Sequence, residues 1–426
     1  MIQKNNKGFV VIFITTLVLV VMISIAASIA NLLVESEKIS INAKISSQSY
    51  YAAEAGIEDA LLRLKKTPSI TTLTYAMTVG SATVNVTIPD TMGGARTIVT
   101  QGDVSDRVKK VQAVYKVDAV GVSFHYGAQV GEGGLVMGNN SRILGNVFCN
   151  GNVEGSNGAT IDNDIIVAKN GNKINNVDIG GNALVYSCEN SDIQGNLTYV
   201  TGGHSTGCTV RGTTTVQPDE IEPADMPISS NQINEWKTEA FAGGVINNDV
   251  VFTNGTQNIL GPVQIGTLSQ PKNLTVTNNA RLKLTGTIYV TGNINISNNA
   301  IVELDSASYG SFSGVIIADG KITVGNNAVL RGTGGAGSYI LVLSTNNSLN
   351  PSSPAIMVSN NAAGAIFYAS SGMIYLSNNM QAREITGYKV RIDNNVSIRY
   401  ETGLLNPLFT NGPAGSWSVE NWKETE

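Results

Sequence analysis

A mainly β protein with one long N-terminal helix is predicted. The helix is transmembrane, a small antiparallel sheet follows it, and a right-handed parallel β-helix (a solenoid) makes up most of the chain. Three observations predict this. Residues 8–34 carry no charged side chain. Residues 36–66 contain no proline and keep helical apolar spacing. From about Gln129 onward, Asn-Asn and Gly-Asn pairs recur between short alternating apolar runs.

Lys4 and Lys7 precede the uncharged run, and the next charged side chain is Glu35. At ~1.5 Å per residue the run spans ~40 Å as a helix, enough to cross a bilayer core of ~30 Å with some tilt. The lysines lie on one side and Glu35 and Glu37 on the other. By the positive-inside rule the N-terminus stays cytoplasmic and the remaining ~390 residues are exported as a single-pass protein. A removable secretory signal is the competing reading. Ala26-Ala-Ser-Ile-Ala30 offers a small-x-small site, but such a signal has an apolar core of ~7–15 residues, and this run continues to Val34. Beyond it, Tyr50, Ala53, Ile57, Leu61 and Leu64 fall on one face at i, i+3, i+4 and i+7, and Pro68 ends the pattern. Both halves together make one rod of ~55–60 residues, ~85 Å long.

Lys4-Asn-Asn-Lys-Gly-Phe9 ahead of the apolar run resembles a type III prepilin leader. Tyr50-Tyr-Ala-Ala-Glu-Ala-Gly-Ile-Glu-Asp-Ala-Leu-Leu-Arg-Leu64 resembles the end of the N-terminal domain of PilX-like minor pilins of type IV pili. The resemblance covers roughly residues 1–66. It implies a leader over residues 1–8, cut after Gly8 by prepilin peptidase to leave a methylated Phe9. It also implies a pilin helix over 9–66, with Tyr50, Ala53, Glu54, Ile57 and Glu58 as packing positions. The implied partners are other pilins, the pilus assembly machinery and the membrane. Major pilins carry a glutamate at the fifth mature position that pairs with a neighbour's N-terminal amine, whereas this chain has Phe13 there. That departure speaks against a filament-building subunit and is compatible with a minor or tip subunit.

Residues 67–125 read as a small pilin-like β domain. Val84, Val86 and Ile88 alternate with Thr83, Asn85 and Thr87, and two further runs flank the turn-rich 101–106. Arg107, Lys109 and Lys110 with Asp103 and Asp106 read as a solvated hairpin end.

Residues 126–400 read as the solenoid. Gly-Asn precedes an apolar residue at 145, 151, 181, 195 and 292, and Asn-Asn begins at 139, 175, 247, 278, 298, 326, 346, 360, 378 and 394. Self-similarity near twenty residues marks a stacked solenoid. Its corners need left-handed backbone, which Gly and Asn tolerate, and asparagines on successive rungs can form amide ladders. About twelve rungs at ~4.8 Å give a rod of ~55–60 Å. Leu274, Val276, Leu282, Leu284, Ile288, Val290, Ile294, Ile296, Val302 and Leu304 are the expected inward positions. A β-sandwich is the competing fold, and it calls for longer strands and hairpin turns.

A helical insertion over 217–244 interrupts the solenoid. Asp219, Glu220, Glu222 and Asp225 in its proline-rich start read as a solvated loop. Ser229 and Gln232 form a capping box, Gly243-Gly244 a stop, and Ile233, Trp236 and Phe241 a face that braces the solenoid. Residues 401–426, with Phe409, Trp417 and Trp422, are expected to cap the last rung; exposed aromatics for sugar contact are the sharper reading.

The bulk composition limits function. Charged residues are 14%, apolar residues 42%, and net charge is −5. Without a basic block, nucleic acid is not an expected partner. Of three cysteines, Cys188 and Cys208 lie about one rung apart. That places their Cα atoms near ~4.8 Å, within the ~4.4–6.8 Å of a disulfide, and leaves Cys149 a single thiol. With no Cys-x-x-Cys and His125 far from His204, no zinc site is expected. Gly332-Thr-Gly-Gly-Ala-Gly337 precedes a strand rather than a helix, so it reads as a glycine-rich corner and not a dinucleotide loop. Residues 314–321 resemble a phosphate loop, but the spacing is wrong and Ile322 replaces the needed Ser or Thr.

β-Helices also serve polysaccharide lyases and hydrolases, which need clustered carboxylates and bases on one face. Asp162 and Asp164 are the best candidates, with Asp178, Glu189, Asp192 and Arg211 on nearby rungs; calcium at the same carboxylates is a further reading. The expectation is a non-enzymatic, minor-pilin-like surface protein without cofactor or metal. Its solenoid serves adhesion to a surface or glycan. The alternative is a membrane-anchored β-helix lyase or hydrolase.

Overall fold

The computed structural model describes all of the chain except residues 1–6, 67–71, 90–94, 118, 122–123, 402–403, 405–407, 411–416 and 426. Most of the expected leader therefore lies outside the described residues. Helix α1 (Lys7–Lys66) is one unbroken helix, long and apolar enough to cross a membrane. Every large apolar side chain from Val10 to Val34 is 49–66% exposed, so nothing among the described residues covers that half.

The second half of α1 lies on an antiparallel sheet. Its first four strands are β1 (Leu73–Val79), β2 (Ala82–Ile88), β3 (Ala95–Val104) and β4 (Arg107–Val117), paired in sequence order. β2 alternates buried and exposed along its whole length, which puts Val84, Val86 and Ile88 under the helix. Ser105 and Asp106, at φ 49° and 62°, make the tight β3–β4 turn. The fifth strand comes from the far end of the chain. Trp417–Thr425 pairs antiparallel with β4, Tyr115 opposite Val419. This corrects the expectation of a cap over 401–426: the last strand completes the small sheet, and the solenoid is inserted between the sheet's fourth and fifth strands. Ala119–Gly121 and Leu408–Thr410 pair with each other where the chain leaves and re-enters.

The solenoid is parallel throughout, but its rungs do not stack in chain order. One inward column runs Val263, Ile288, Ile316, Val342, Phe367, Ile385, Ala128, Val147, Ile165, Ala183, Leu197, Thr214, each opposite the next. The chain therefore enters at the middle of the stack and climbs to Thr214–Gln217. It then crosses to the opposite end at Val245–Ile246 and climbs again in the same direction until the rung of 384–398 lies against the first one. All ten inward positions expected between Leu274 and Leu304 are buried in this core. Stacking supplies what no rung has alone, a continuous apolar interior.

The crossing segment lines one outer face. Ile221 is buried against Phe148, Ala168 and Val200, and Asn150 both donates to the Ala224 carbonyl (2.9 Å) and accepts from its N–H (3.1 Å). The side chains of Asp219, Glu220, Glu222 and Asp225 remain exposed. Helix α2 (Ser230–Ala242) is capped by Ser229, whose side chain accepts from the Gln232 N–H. It buries Ile233, Trp236 and Ala240 against Tyr289, Val315 and Leu341. Phe241, expected on this face, is 59% exposed, and Ala240 is the buried residue there.

Asparagine pairs form the corners. Residues 278–279, 298–299, 326–327, 360–361, 378–379 and 394–395 all hold left-handed φ of 53–62°, apart from Asn326 at 52°. Asn298, Asn326, Asn360, Asn378 and Asn394 each donate Nδ2 to the preceding asparagine's Oδ1 at 2.9–3.2 Å. The ladder reaches the first rung where the Asn395 N–H bonds Asn139 O. The pairs at 247 and 346 do not join it. The Gly-Asn pairs do a second job: Asn146, Asn182, Asn196 and Asn293 each accept the backbone N–H of the next rung. Glycine precedes them because rungs touch there; a Cβ on Gly195 would lie 2.7 Å from Gly181 O.

Candidate functional site

The helix seat is built from small residues. Ala52, Ala53, Gly56 and Ala60 form a stripe on α1, with Ile57 and Leu64 beside it, and all are buried. A Cβ on Gly56 would meet Val84 Cγ1 at 2.7 Å, and one on Gly102 of β3 would meet Ser49 O at 2.3 Å. The helix backbone therefore rests directly on the strand. Two hydroxyls then bridge the layers: Ser49 Oγ donates to Arg107 O (2.6 Å), and Thr100 Oγ1 to Ala53 O (2.7 Å). At the lower end Asp59 accepts from the Tyr75 hydroxyl and pairs with Arg63 (2.7 Å), whose guanidinium covers the Tyr75 ring at 4.2 Å.

Of the expected packing positions, Ala53 and Ile57 are fully buried, and Tyr50 and Glu54 are half-buried. Glu58 is exposed and does not pack within the chain, because it points away from the stripe. Ser49, Gly56, Thr100 and Gly102 were not singled out from the sequence. The Ala-Ala-x-x-Gly-x-x-x-Ala spacing at 52–60 carried the signal for the helix side of the seat. Gly8 and Phe9 lie in the first turn of α1, at the edge of the described residues.

The solenoid carboxylates are engaged singly, not as a cluster. Asp162 receives both arms of Arg142, each at 2.7 Å. Asp164 accepts from the Asn182 N–H at 2.7 Å, as the acceptor in the Gly-Asn ladder. Glu189 is shared by Lys173 (2.8 Å) and His204 (3.2 Å), and the Lys173 ammonium holds its carboxyl below the ordinary range. Asp192 pairs with Arg211 at 3.3 Å, and Asp178 is exposed. Arg142 was missed as a partner although it lies one rung from Asp162. Among the described residues no three His, Cys, Asp or Glu side chains are placed to hold a metal ion.

Cys188 and Cys208 are bonded, with Cα atoms 6.4 Å apart. Cys149 is a buried thiol in the solenoid core, and burial pushes its pKa up to about 12. Two carboxyls are also buried. Glu239 of α2 accepts from Thr287 at 3.2 Å and Glu384 from Thr386 at 2.6 Å; burial raises both well above the usual carboxyl range.

Comparison with known proteins bears on the helix. Residues 7–58 match the family described as PilX N-terminal. No curated protein is similar to the chain in sequence. Among solved structures, the competence-associated pilin ComZ from Thermus thermophilus aligns at a TM-score of 0.24 and 11% identity, over 89% of this chain and 97% of that one. An ice binding protein from an Antarctic Flavobacteriaceae bacterium aligns at 0.23 and 12%, over 65% and 81%. Scores this low carry no argument about function. Residues 7–58 are thus similar to the N-terminal segment of PilX-type pilins, a likeness that spans less than half of the chain.

Proposed function

We propose that the chain is a minor-pilin-like subunit of a type IV pilus, whose solenoid is displayed outside the cell for adhesion. The observation that carries this is the division of α1: a half exposed on all sides runs without a break into a half seated on its own sheet. An exposed apolar rod of that length is stable in lipid or against the equivalent helices of neighbouring pilins, not in water. Exposed Glu58, Tyr51 and Leu62 on the outer side of the seated half then face those neighbours. In this reading prepilin peptidase cuts after Gly8, Phe9 becomes the methylated N-terminus, and the solenoid stands on the extracellular side. Display rather than catalysis is supported by the solenoid carboxylates, which hold rungs together one by one.

The test is mass spectrometry of the N-terminus after expression with and without prepilin peptidase. A mature chain starting at methylated Phe9 only with the peptidase is the expected result. An intact N-terminus, or a cut near Ala30, would refute pilus entry.

A further inference from the structure

Two adjoining concavities lie on the solenoid face that carries 381–382 and 397–399, one of about 420 Å³ and one of about 670 Å³. They share Ala363, Gly364 and Arg383, so they form one groove across successive rungs. One wall is the glycine-rich loop 332–337, held by its own hydroxyls: Thr333 Oγ1 donates to Gly310 O (2.7 Å) and Ser338 Oγ to Phe312 O (2.7 Å). The floor needs a glycine, since a Cβ on Gly364 would lie 2.3 Å from Leu330 O. The opposite wall includes Glu401, which returns here on the way to the small sheet.

The charged side chains of this groove are Arg331, Arg383 and Arg399 with the one carboxylate of Glu401. Arg383 and Arg399 directly follow the paired residues Ala382 and Ile398, which places them one rung apart, ~4.8 Å along the stack. Val329, Ala363 and Gln381 are bridged in turn, so Arg331 lies two rungs from Arg383, roughly 10 Å. Arg331 pairs with Glu303 and Arg383 with Glu401. Among the described residues no hydrogen bond or ion pair reaches the Arg399 side chain, which is exposed. Two like charges on neighbouring strands are thus served by a single carboxylate, an arrangement that repels unless a further anion joins it. A guanidinium fork binds carboxylate in a planar, two-point manner.

We propose that this groove binds a carboxylated polysaccharide, with Arg399 and Arg383 gripping an acidic group and the chain lying along the rungs. Gln381, Ser397 and Tyr339 border the same concavities and supply neutral polar groups for sugar hydroxyls, the Tyr339 hydroxyl itself donating to Glu401 at 3.2 Å. A groove that crosses the rungs of Val329, Ala363, Gln381 and Ser397 suits an extended chain of acidic sugars better than a compact ion. The proposal rests on the reading that the solenoid is displayed outside the cell.

The test uses the full chain in detergent micelles and titrates oligogalacturonate against dextran of equal length, with inorganic sulfate as competitor. Binding of oligogalacturonate alone is expected, weakened by added salt and about tenfold or more in Arg399→Gln, the cost of a lost charged hydrogen bond. Arg211→Gln, on the same face but outside the groove, is expected to bind normally. Equal binding of dextran, or unchanged affinity in Arg399→Gln with an unaltered melting curve, overturns the proposal. Displacement by sulfate at the oligosaccharide's own molarity overturns the polysaccharide as ligand. A chain cut after Gly8 that ignores oligogalacturonate sinks only this inference; an uncut chain that binds it sinks only the pilus reading.

Discussion

Gly102 sets how closely the long helix sits on its sheet, and its substitution gives the sharpest test of the seat. A methyl group there would lie 2.3 Å from Ser49 O and 2.9 Å from Ala53 N. Both neighbours are helix backbone, so no side chain can turn aside and the helix itself must move by about 1 Å, overpacking that costs ~1–3 kcal/mol. The same movement stretches the Ser49–Arg107 and Thr100–Ala53 hydrogen bonds, each contributing ~1 kcal/mol. Gly102→Ala is therefore expected to loosen the seat by about 2–4 kcal/mol, and Gly102→Val by more, because each added atom meets the same backbone. The measurement is amide hydrogen exchange of the full chain in micelles, read by mass spectrometry over 49–64. Protection should fall by roughly 30- to 1,000-fold, while the solenoid core around Ile316 and Val342 stays protected. Protection within threefold of the parent in Gly102→Val would refute the close-contact argument.

Other consequences are equally open to measurement. Asn326→Val should lower solenoid stability by about 2–4 kcal/mol in urea titration, since it adds left-handed strain at φ 52° to the loss of two ladder bonds; a cost under ~0.5 kcal/mol would mean the ladder contributes nothing. Removing the Cys188–Cys208 bond frees a loop with a sequence separation of 20 and should cost about 3 kcal/mol, seen as a lower denaturation midpoint in Cys188→Ser/Cys208→Ser. Cys149 should resist maleimide in the folded chain and react once it is unfolded, because it is buried and its thiol is pushed up to about 12. Glu384 is held neutral in the fold, with its pKa raised well above the ordinary 4.5. Its contribution is therefore fully present below pH 4.5 and is lost as pH rises through the raised value. Glu384→Gln should flatten that decline above pH 4.5 in thermal melts, and an unchanged pH slope would count against a raised carboxyl pKa.

Local chemistry made part of this protein legible from its residues alone. An uncharged run long enough to cross a bilayer is a property of composition, and α1 follows from it and from helical spacing that continues to Leu64. Left-handed corners are likewise single-residue preferences, so the Asn-Asn pairs announced the solenoid and its inward positions. The Cys188–Cys208 bond was readable because a separation of 20 brings the two residues to neighbouring rungs, although Cys188 is in register with Ser205 and Cys208 follows three residues later. That logic also covered Arg142 and Asp162, but ion pairs leave no bond-specific residue type to notice. Tertiary structure alone decided the rest. Nothing local distinguishes a rung that stacks on its sequence neighbour from one that stacks on Ala128, so entry at the middle of the rod was invisible. Trp417–Thr425 reads as a terminal cap or as a strand equally well, and only the open edge of β4, formed some 300 residues earlier in the chain, selects the strand. The groove with Arg383 and Arg399 arises for the same reason: its walls come from segments that share a surface only after the rungs are stacked.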